Sequence, residues 1–142
     1  MPTRKATASW EGGLKNGKGQ LASASGAVKA PFSAGMRFGS EPGTNPEELL
    51  AAAHAGCYSM ALGAALEKEG HPPEHVETKA ACTIEAQGEG FRITKMELTV
   101  RVRAPGLDRA AFDRLAAVTK EACPVSRALI GNLELTLDAQ LA

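Results

Sequence analysis

The sequence carries no excess of either charge. Lys plus Arg is 16 and Asp plus Glu is 16 over 142 residues, so the basic surplus with which a nucleic-acid binder releases counterions is missing. A polybasic membrane-surface protein is excluded on the same ground. Solubility must then rest on well-mixed surface charge. Residues 1–10 contain no apolar h-region, and the expectation that follows is a cytoplasmic protein. No CxxC, no HExxH and no clustered ligand pattern occurs, which argues against a metal site. No glycine-rich phosphate loop follows a strand, and Gly88-Glu89-Gly90 reads as a hairpin turn. Internal repeats and low-complexity tails are absent. Cysteine is scarce and odd in number, at 3, so a complete intrachain disulfide framework is excluded. In a reducing compartment such cysteines are core filler, catalytic or redox-active.

What is present suffices for one domain, residues 1–142, with a real core. Residues 1–44 are rich in Gly and Ser, with candidate strands over 3–10, 17–23 and 27–32 and turn signals at Gly12-Gly13 and Asn16-Gly17. Residues 36–43 read as irregular. A helix over 46–69 is well signalled: Asn45 suits the N-cap, Pro46 the first helical position, and Glu47 and Glu48 the first turn. Gly70 stops it before Pro72-Pro73. The run 49–66 is apolar almost all round, mostly Ala and Gly with His54 and Ser59 inside. It reads as a buried helix rather than a membrane span, and one that needs cover on every side. A second subunit is expected to supply part of that cover, with the small residues Ala51, Ala52, Ala53, Ala55 and Gly56 allowing close approach.

The C-terminal part, 76–142, predicts strands over 78–86 and 91–103. Met96, Leu98, Val100 and Val102 alternate with polar residues, while Phe91 and Ile93 fall on the other parity, which predicts a bulge near Thr94. A helix follows from Asp108 to about Ala122, then a short helix opened by Cys123-Pro124, then a strand over 133–141. The fold class is α+β.

Several residues could carry chemistry. Cys57 lies mid-helix, where nothing local lowers its pKa; it is core filler, or a thiolate activated by a cation brought from elsewhere. Cys123 stands at a helix N-terminus, where it either caps the helix or gains thiolate character, so local physics nominates it as the more acidic thiol. Cys82 sits on a strand and reads as packing. His54 is three residues before Cys57, either as a Cys–His pair or as a core or interface histidine satisfied by hydrogen bonds. Arg37, between Met36 and Phe38 with flanking glycines, is a cation for an anionic group or a surface Arg with its stem packed. Glu47 is favoured by the helix dipole alone. It stands ten residues before Cys57, roughly 15 Å along the helix, so it can reach that sulfur only by holding an Arg.

Three stretches together resemble the OsmC/Ohr family of osmotically inducible and organic hydroperoxide resistance proteins. They are Gly43-Thr44-Asn45-Pro46-Glu47-Glu48-Leu49-Leu50, the Ala-rich run to Cys57, and Cys123-Pro124-Val125-Ser126. Met36-Arg37-Phe38-Gly39 and the Arg127-Ala128-Leu129 that follows Ser126 look more like the OsmC branch. Arg4 is the only other Arg before position 38, so Arg37 is the one carried over. The resemblance implies an intertwined homodimer with antiparallel sheets around long buried central helices. It further implies a thiol-dependent peroxidase acting on organic hydroperoxides without metal or bound cofactor. In that reading Cys57 is the peroxidatic cysteine, Cys123 the resolving one, and Arg37 with Glu47 the activating pair. An external dithiol, of lipoyl type, would reduce the disulfide. Phe38, Met36 and Met60 would line the site. Two readings compete: a thiol–disulfide redox protein or sensor, and a non-catalytic dimeric binding module.

Overall fold

In the computed structural model, which describes residues 1–142, the glycine turns at the N-terminus set up an antiparallel meander. Strands β1 (Ala6–Glu11), β2 (Lys18–Ser23) and β3 (Lys29–Phe32) form a sheet in that order. Register runs from Ala6↔Ser23 to Glu11↔Lys18 in the first hairpin. Gly19 pairs with Phe32, and a Cβ there would lie 2.6 Å from the Phe32 ring, so only glycine lets that ring settle on the sheet. Trp10 meets Phe32 at 5.4 Å between ring centroids. These elements belong to a compact unit spanning residues 1–49; residues 50–142 form another.

The stretch expected to be irregular holds a single helical turn, α1 (Ala34–Phe38). Ser33 caps it by accepting the Met36 N–H at 3.3 Å, and the Gly39 N–H closes it on the Gly35 carbonyl. Flanking glycines hide so short a helix from periodicity. Helix α2 (Pro46–Lys68) starts where its capping signals place it. The Asn45 side-chain oxygen accepts the Glu48 N–H at 2.8 Å. The Glu48 carboxylate does not reach back to the cap but takes the Thr44 hydroxyl at 2.9 Å. At the far end Gly70, with φ +85°, turns the chain. Its N–H bonds Glu67 and that of His71 bonds Leu66, the paired closure of a Schellman motif.

The second sheet is built from β4 (His75–Gln87), β5 (Gly90–Arg103) and β6 (Glu134–Leu141) in that order. The β4–β5 pair is antiparallel, and its register skips Thr94: Thr83 faces Lys95 and Ile84 faces Ile93. The parity change in the sequence is this bulge. Strand β6 lies parallel to β5, a pairing that requires a crossover. Helices α3 (Arg109–Ala122) and α4 (Pro124–Leu129) supply it. Asp108 caps α3 by accepting the Ala110 N–H at 3.0 Å.

The core of this unit is the alternating face of β5 against one row of α2 and one stripe of α3. Tyr58, Leu62 and Leu66 pack with Met96, Leu98, Val100, Val102, Phe112 and Ala116. His54 completes the α2 row at four-residue spacing and is fully buried. On the other side of α2, Ala52, Ala53, Gly56, Met60 and Ala64 are exposed. Tyr58 donates its hydroxyl to the Ala116 carbonyl at 3.0 Å, tying α2 to α3. Tyr58→Phe should lower unfolding free energy in urea by about 1 kcal/mol, the usual net worth of such a bond.

Candidate active site

Two thiols meet between α2 and the start of α4. Cys57 projects from the middle of α2 and is half-buried; Cys123 follows α3, stands at the N-cap position of α4 without a side-chain capping bond, and is fully buried. Their sulfurs are 3.1 Å apart although 66 residues separate them in the chain. Both are free thiols. Pro124 at the first position of α4 fixes the entry geometry that brings the Cys123 side chain round.

The environments of the two thiols differ in sign. Burial pushes the Cys57 thiol up, and the neighbouring Cys123 adds to this while the Val125 N–H works against it. Burial also opposes the Cys123 thiolate. There, however, the Ser126 N–H, the Cys57 thiol, the Ser126 hydroxyl and the Val125 N–H together outweigh it, and the thiol sits below its ordinary value. Left to these groups alone, Cys123 is the more acidic cysteine, as its place at a helix start predicts. Next to the pair, His54 is neutral because burial lowers its pKa. Its Nε2 lies 2.7 Å from the Ser126 hydroxyl. Of the two sequence readings for His54, the structure shows a buried core histidine bonded through Nε2 to Ser126 and not to Cys57, with Nδ1 left without a partner. No local signal joins His54 to Ser126, 72 residues away.

Within residues 1–49 a second constellation forms. Arg37 on α1 grips Glu47 in the first turn of α2. Its Nε lies 3.1 and 3.2 Å from the two carboxylate oxygens and its Nη2 lies 2.7 Å from Oε1. Glu47 is only 5% exposed, whereas the Arg37 side chain keeps 35% exposure. A buried carboxylate thus fixes a partly exposed guanidinium, in the bidentate arrangement that suits arginine and not lysine. Asn45 reinforces the junction by donating to the Met36 carbonyl at 3.0 Å. The Arg37 guanidinium also lies 5.3 Å from the Phe38 ring centre.

Beside Arg37 opens a cavity of about 180 Å³ lined by Trp10, Leu14, Phe32, Ser33, Ala34 and Phe38. Phe38 is the one expected lining residue among them. Met36 packs instead against Gly43, and Met60 is 79% exposed on α2. Trp10, Leu14 and Phe32 carry no motif, and only the folding of the meander assembles them. Cys82 lies on β4 opposite Met96 and packs at the edge of the core. No group of three or more His, Cys, Asp or Glu is placed to hold a metal ion.

The OsmC-like protein family matches residues 39–138. The chain belongs to that family. This OsmC-like protein is 43% identical over 139 residues to Peroxiredoxin OsmC of Escherichia coli K12, covering 97% of this chain and 96% of the relative. It is 33% identical over 123 residues to the organic hydroperoxide resistance protein of Xanthomonas axonopodis pv. citri, covering 84% of each. Among solved structures, the organic hydroperoxide resistance protein OsmC of Legionella pneumophila superposes with a TM-score of 0.74 at 26% identity, covering 96% of both chains. That of Elizabethkingia anophelis superposes with a TM-score of 0.75 at 25% identity, covering 99% of this chain and 98% of that one.

Proposed function

We propose that this OsmC-like protein is a thiol-dependent peroxidase. It reduces organic hydroperoxides to alcohols through a Cys57 sulfenic acid and a Cys57–Cys123 disulfide. The observation that carries the reading is the pair of free sulfurs 3.1 Å apart, one half-buried and one fully buried. In this reading the half-buried Cys57 meets the peroxide and the fully buried Cys123 acts on Cys57. The similarity to relatives named for peroxiredoxin activity and organic hydroperoxide resistance supports the same chemistry.

The cycle has three steps. The Cys57 thiolate attacks one oxygen of the peroxide, the O–O bond breaks, and the electron pair leaves on the alkoxide, which takes up a proton to become the alcohol. Cys57 is now a sulfenic acid. The Cys123 thiolate attacks the Cys57 sulfur, the S–O bond breaks, and hydroxide leaves and is protonated to water. An external dithiol then reduces the disulfide by exchange and is itself oxidised; a lipoyl-type dithiol fits that role. Arg37, oriented by Glu47, is the cation we assign to the Cys57 thiolate and to the departing alkoxide. The apolar cavity beside Arg37 favours an alkyl substituent over hydrogen peroxide. The exposed small-residue side of α2 supports assembly as a homodimer. The cytoplasm, where the cysteines stay reduced, is the compartment we assign.

Peptide mapping before and after one equivalent of cumene hydroperoxide tests the reading. The expected result is rapid loss of two thiols, a Cys57–Cys123 crosslinked peptide, and Cys82 still free. Slow oxidation spread over all three cysteines would overturn it.

A further inference from the structure

His54 is the polar exception in an apolar row. It stands at four-residue spacing with Tyr58, Leu62 and Leu66 on α2, and all four are fully buried. Its Nε2 lies 2.7 Å from the hydroxyl of Ser126, which is fully buried too, while Nδ1 has no hydrogen-bond partner. A buried pair with one nitrogen unpaired stabilises a core less than apolar side chains of the same shape. Core filling therefore does not account for it, and its place does. His54 precedes Cys57 by three residues on α2, and Ser126 follows Cys123 by three at the start of α4. Residues three apart on a helix are neighbours. The two contacts are thus adjacent rungs between the same two elements: His54 with Ser126 at 2.7 Å, and Cys57 with Cys123 at 3.1 Å. Cys123 and Ser126 also share one turn. The Arg127 N–H closes on the Cys123 carbonyl at 2.9 Å, and the Ile130 N–H on the Ser126 carbonyl at 2.8 Å. A helix of 6 residues is marginal on its own, so what ties α4 to α2 decides where Cys123 stands.

We infer that His54 and Ser126 are positioning residues: their bond pins the first turn of α4 to α2 and holds the Cys123 sulfur within reach of Cys57. The bond serves in either proton sense, since a hydroxyl both donates and accepts. Its use in the cycle rests on the function proposed above. Once Cys57 is a sulfenic acid the thiol–thiol contact is gone, whereas oxidation leaves the His54–Ser126 rung chemically unchanged. Cys123 then attacks the Cys57 sulfur, the S–S bond forms, the S–O bond breaks, and hydroxide leaves to be protonated to water. Holding the two sulfurs in place makes this step effectively unimolecular. Fast closure also denies further peroxide the time to carry Cys57 on to sulfinic acid.

The clamp can be tested without peroxide. In a Cys82→Ser background the protein is equilibrated with glutathione: the dithiol and one glutathione disulfide give the protein disulfide and two glutathiones. The equilibrium constant reads the effective concentration of one sulfur at the other. Ser126→Ala and His54→Leu should each lower it about tenfold, which raises the potential of the disulfide by about 30 mV. The double variant should lose no more than either single one, because both remove the same bond. It leaves neither partner of that bond buried alone, so its urea midpoint should stay near the parent value while the equilibrium remains shifted. His54→Gln, whose amide lies as many bonds from the backbone as Nε2, should recover most of the loss. With hydroperoxide, Ser126→Ala should keep the rate of Cys57 oxidation and slow disulfide closure about tenfold. An unchanged equilibrium in either single variant, or losses that add in the double variant, overturns the clamp. If the wild-type protein fails to consume hydroperoxide, the function reading falls while the glutathione equilibrium still decides the clamp.

Discussion

Cys57→Ser should lower hydroperoxide turnover roughly 10⁴-fold or more, the scale seen when a nucleophile is removed outright. Cys123→Ser should behave quite differently. It should consume one equivalent of cumene hydroperoxide per chain in a first turnover no slower than wild type, then stop or slow about a hundredfold with Cys57 trapped as sulfenic acid. The asymmetry follows from burial and from charge. Cys57 is half-buried and Cys123 fully so, which supports giving the peroxide step to Cys57 and the resolving step to Cys123. Cys123 moreover pushes the Cys57 thiol up, by hydrogen bonding and by repulsion between the two sulfurs, so its removal eases Cys57 ionisation. With the sulfurs at 3.1 Å, closing the disulfide needs only about 1 Å more approach in the wild type. Dimedone labelling and intact mass after a single equivalent of peroxide would separate the outcomes. If Cys123→Ser loses the first turnover as well, Cys123 and not Cys57 is the residue that meets peroxide.

These assignments divide into parts that the residues announce and parts that only the folded chain reveals. Local chemistry is legible where a side chain acts on its own neighbourhood. Asn45 and Asp108 cap the helices that follow them, Gly70 ends α2, and the switch of parity at Phe91 and Ile93 marks the bulge at Thr94. The greater acidity of Cys123 is partly local, since the N–H groups of Val125 and Ser126 favour its thiolate, and partly not, since the Cys57 thiol adds to them. Helix α1 escapes because one capped turn between glycines has no period to detect. The parallel course of β6 escapes because alternation reports which face is buried and not which way the strand runs.

The site itself is mostly non-local. That Cys57 and Cys123 meet does not follow from either cysteine's neighbours; family resemblance named the pair, and packing of α2 against the α3–α4 junction brings the sulfurs together. Residue-level reasoning alone preferred core packing for Cys57. The partner of His54 and the apolar wall made by Trp10, Leu14 and Phe32 depend on tertiary contacts with no sequence signature. The Arg37–Glu47 pair is intermediate: the helix dipole explains an acid at Glu47, but its near-complete burial against a guanidinium appears only in the folded chain.

That pair carries the other large effect. Burial pushes the Cys57 thiol above its ordinary value, and even an unperturbed thiol is only a few per cent ionised at pH 7. Without a cation, Cys57 would be the poorer nucleophile of the two cysteines, so the proposed role requires Arg37. Arg37→Ala should lower the first-turnover rate roughly 10³-fold, through loss of thiolate and loss of charge stabilisation on the departing alkoxide. Its pH profile should change with it. A Cys57 thiol left raised loses thiolate as pH falls, so the variant's rate should climb about tenfold per pH unit through neutrality. The wild-type rate should depend less steeply on pH, because the Arg37 cation proposed for the sulfur offsets part of that rise. Arg37→Lys keeps the charge but not the fork that engages both Glu47 oxygens, and should recover only about a tenth of the activity. Glu47→Gln should cost about tenfold, because the guanidinium remains but loses the carboxylate that orients it. A dithiol-exchange assay supplies the control: reduction of a preformed Cys57–Cys123 disulfide involves no peroxide and should change far less in Arg37→Ala. Equal losses in both assays would mean that Arg37 supports the fold and not the peroxide step.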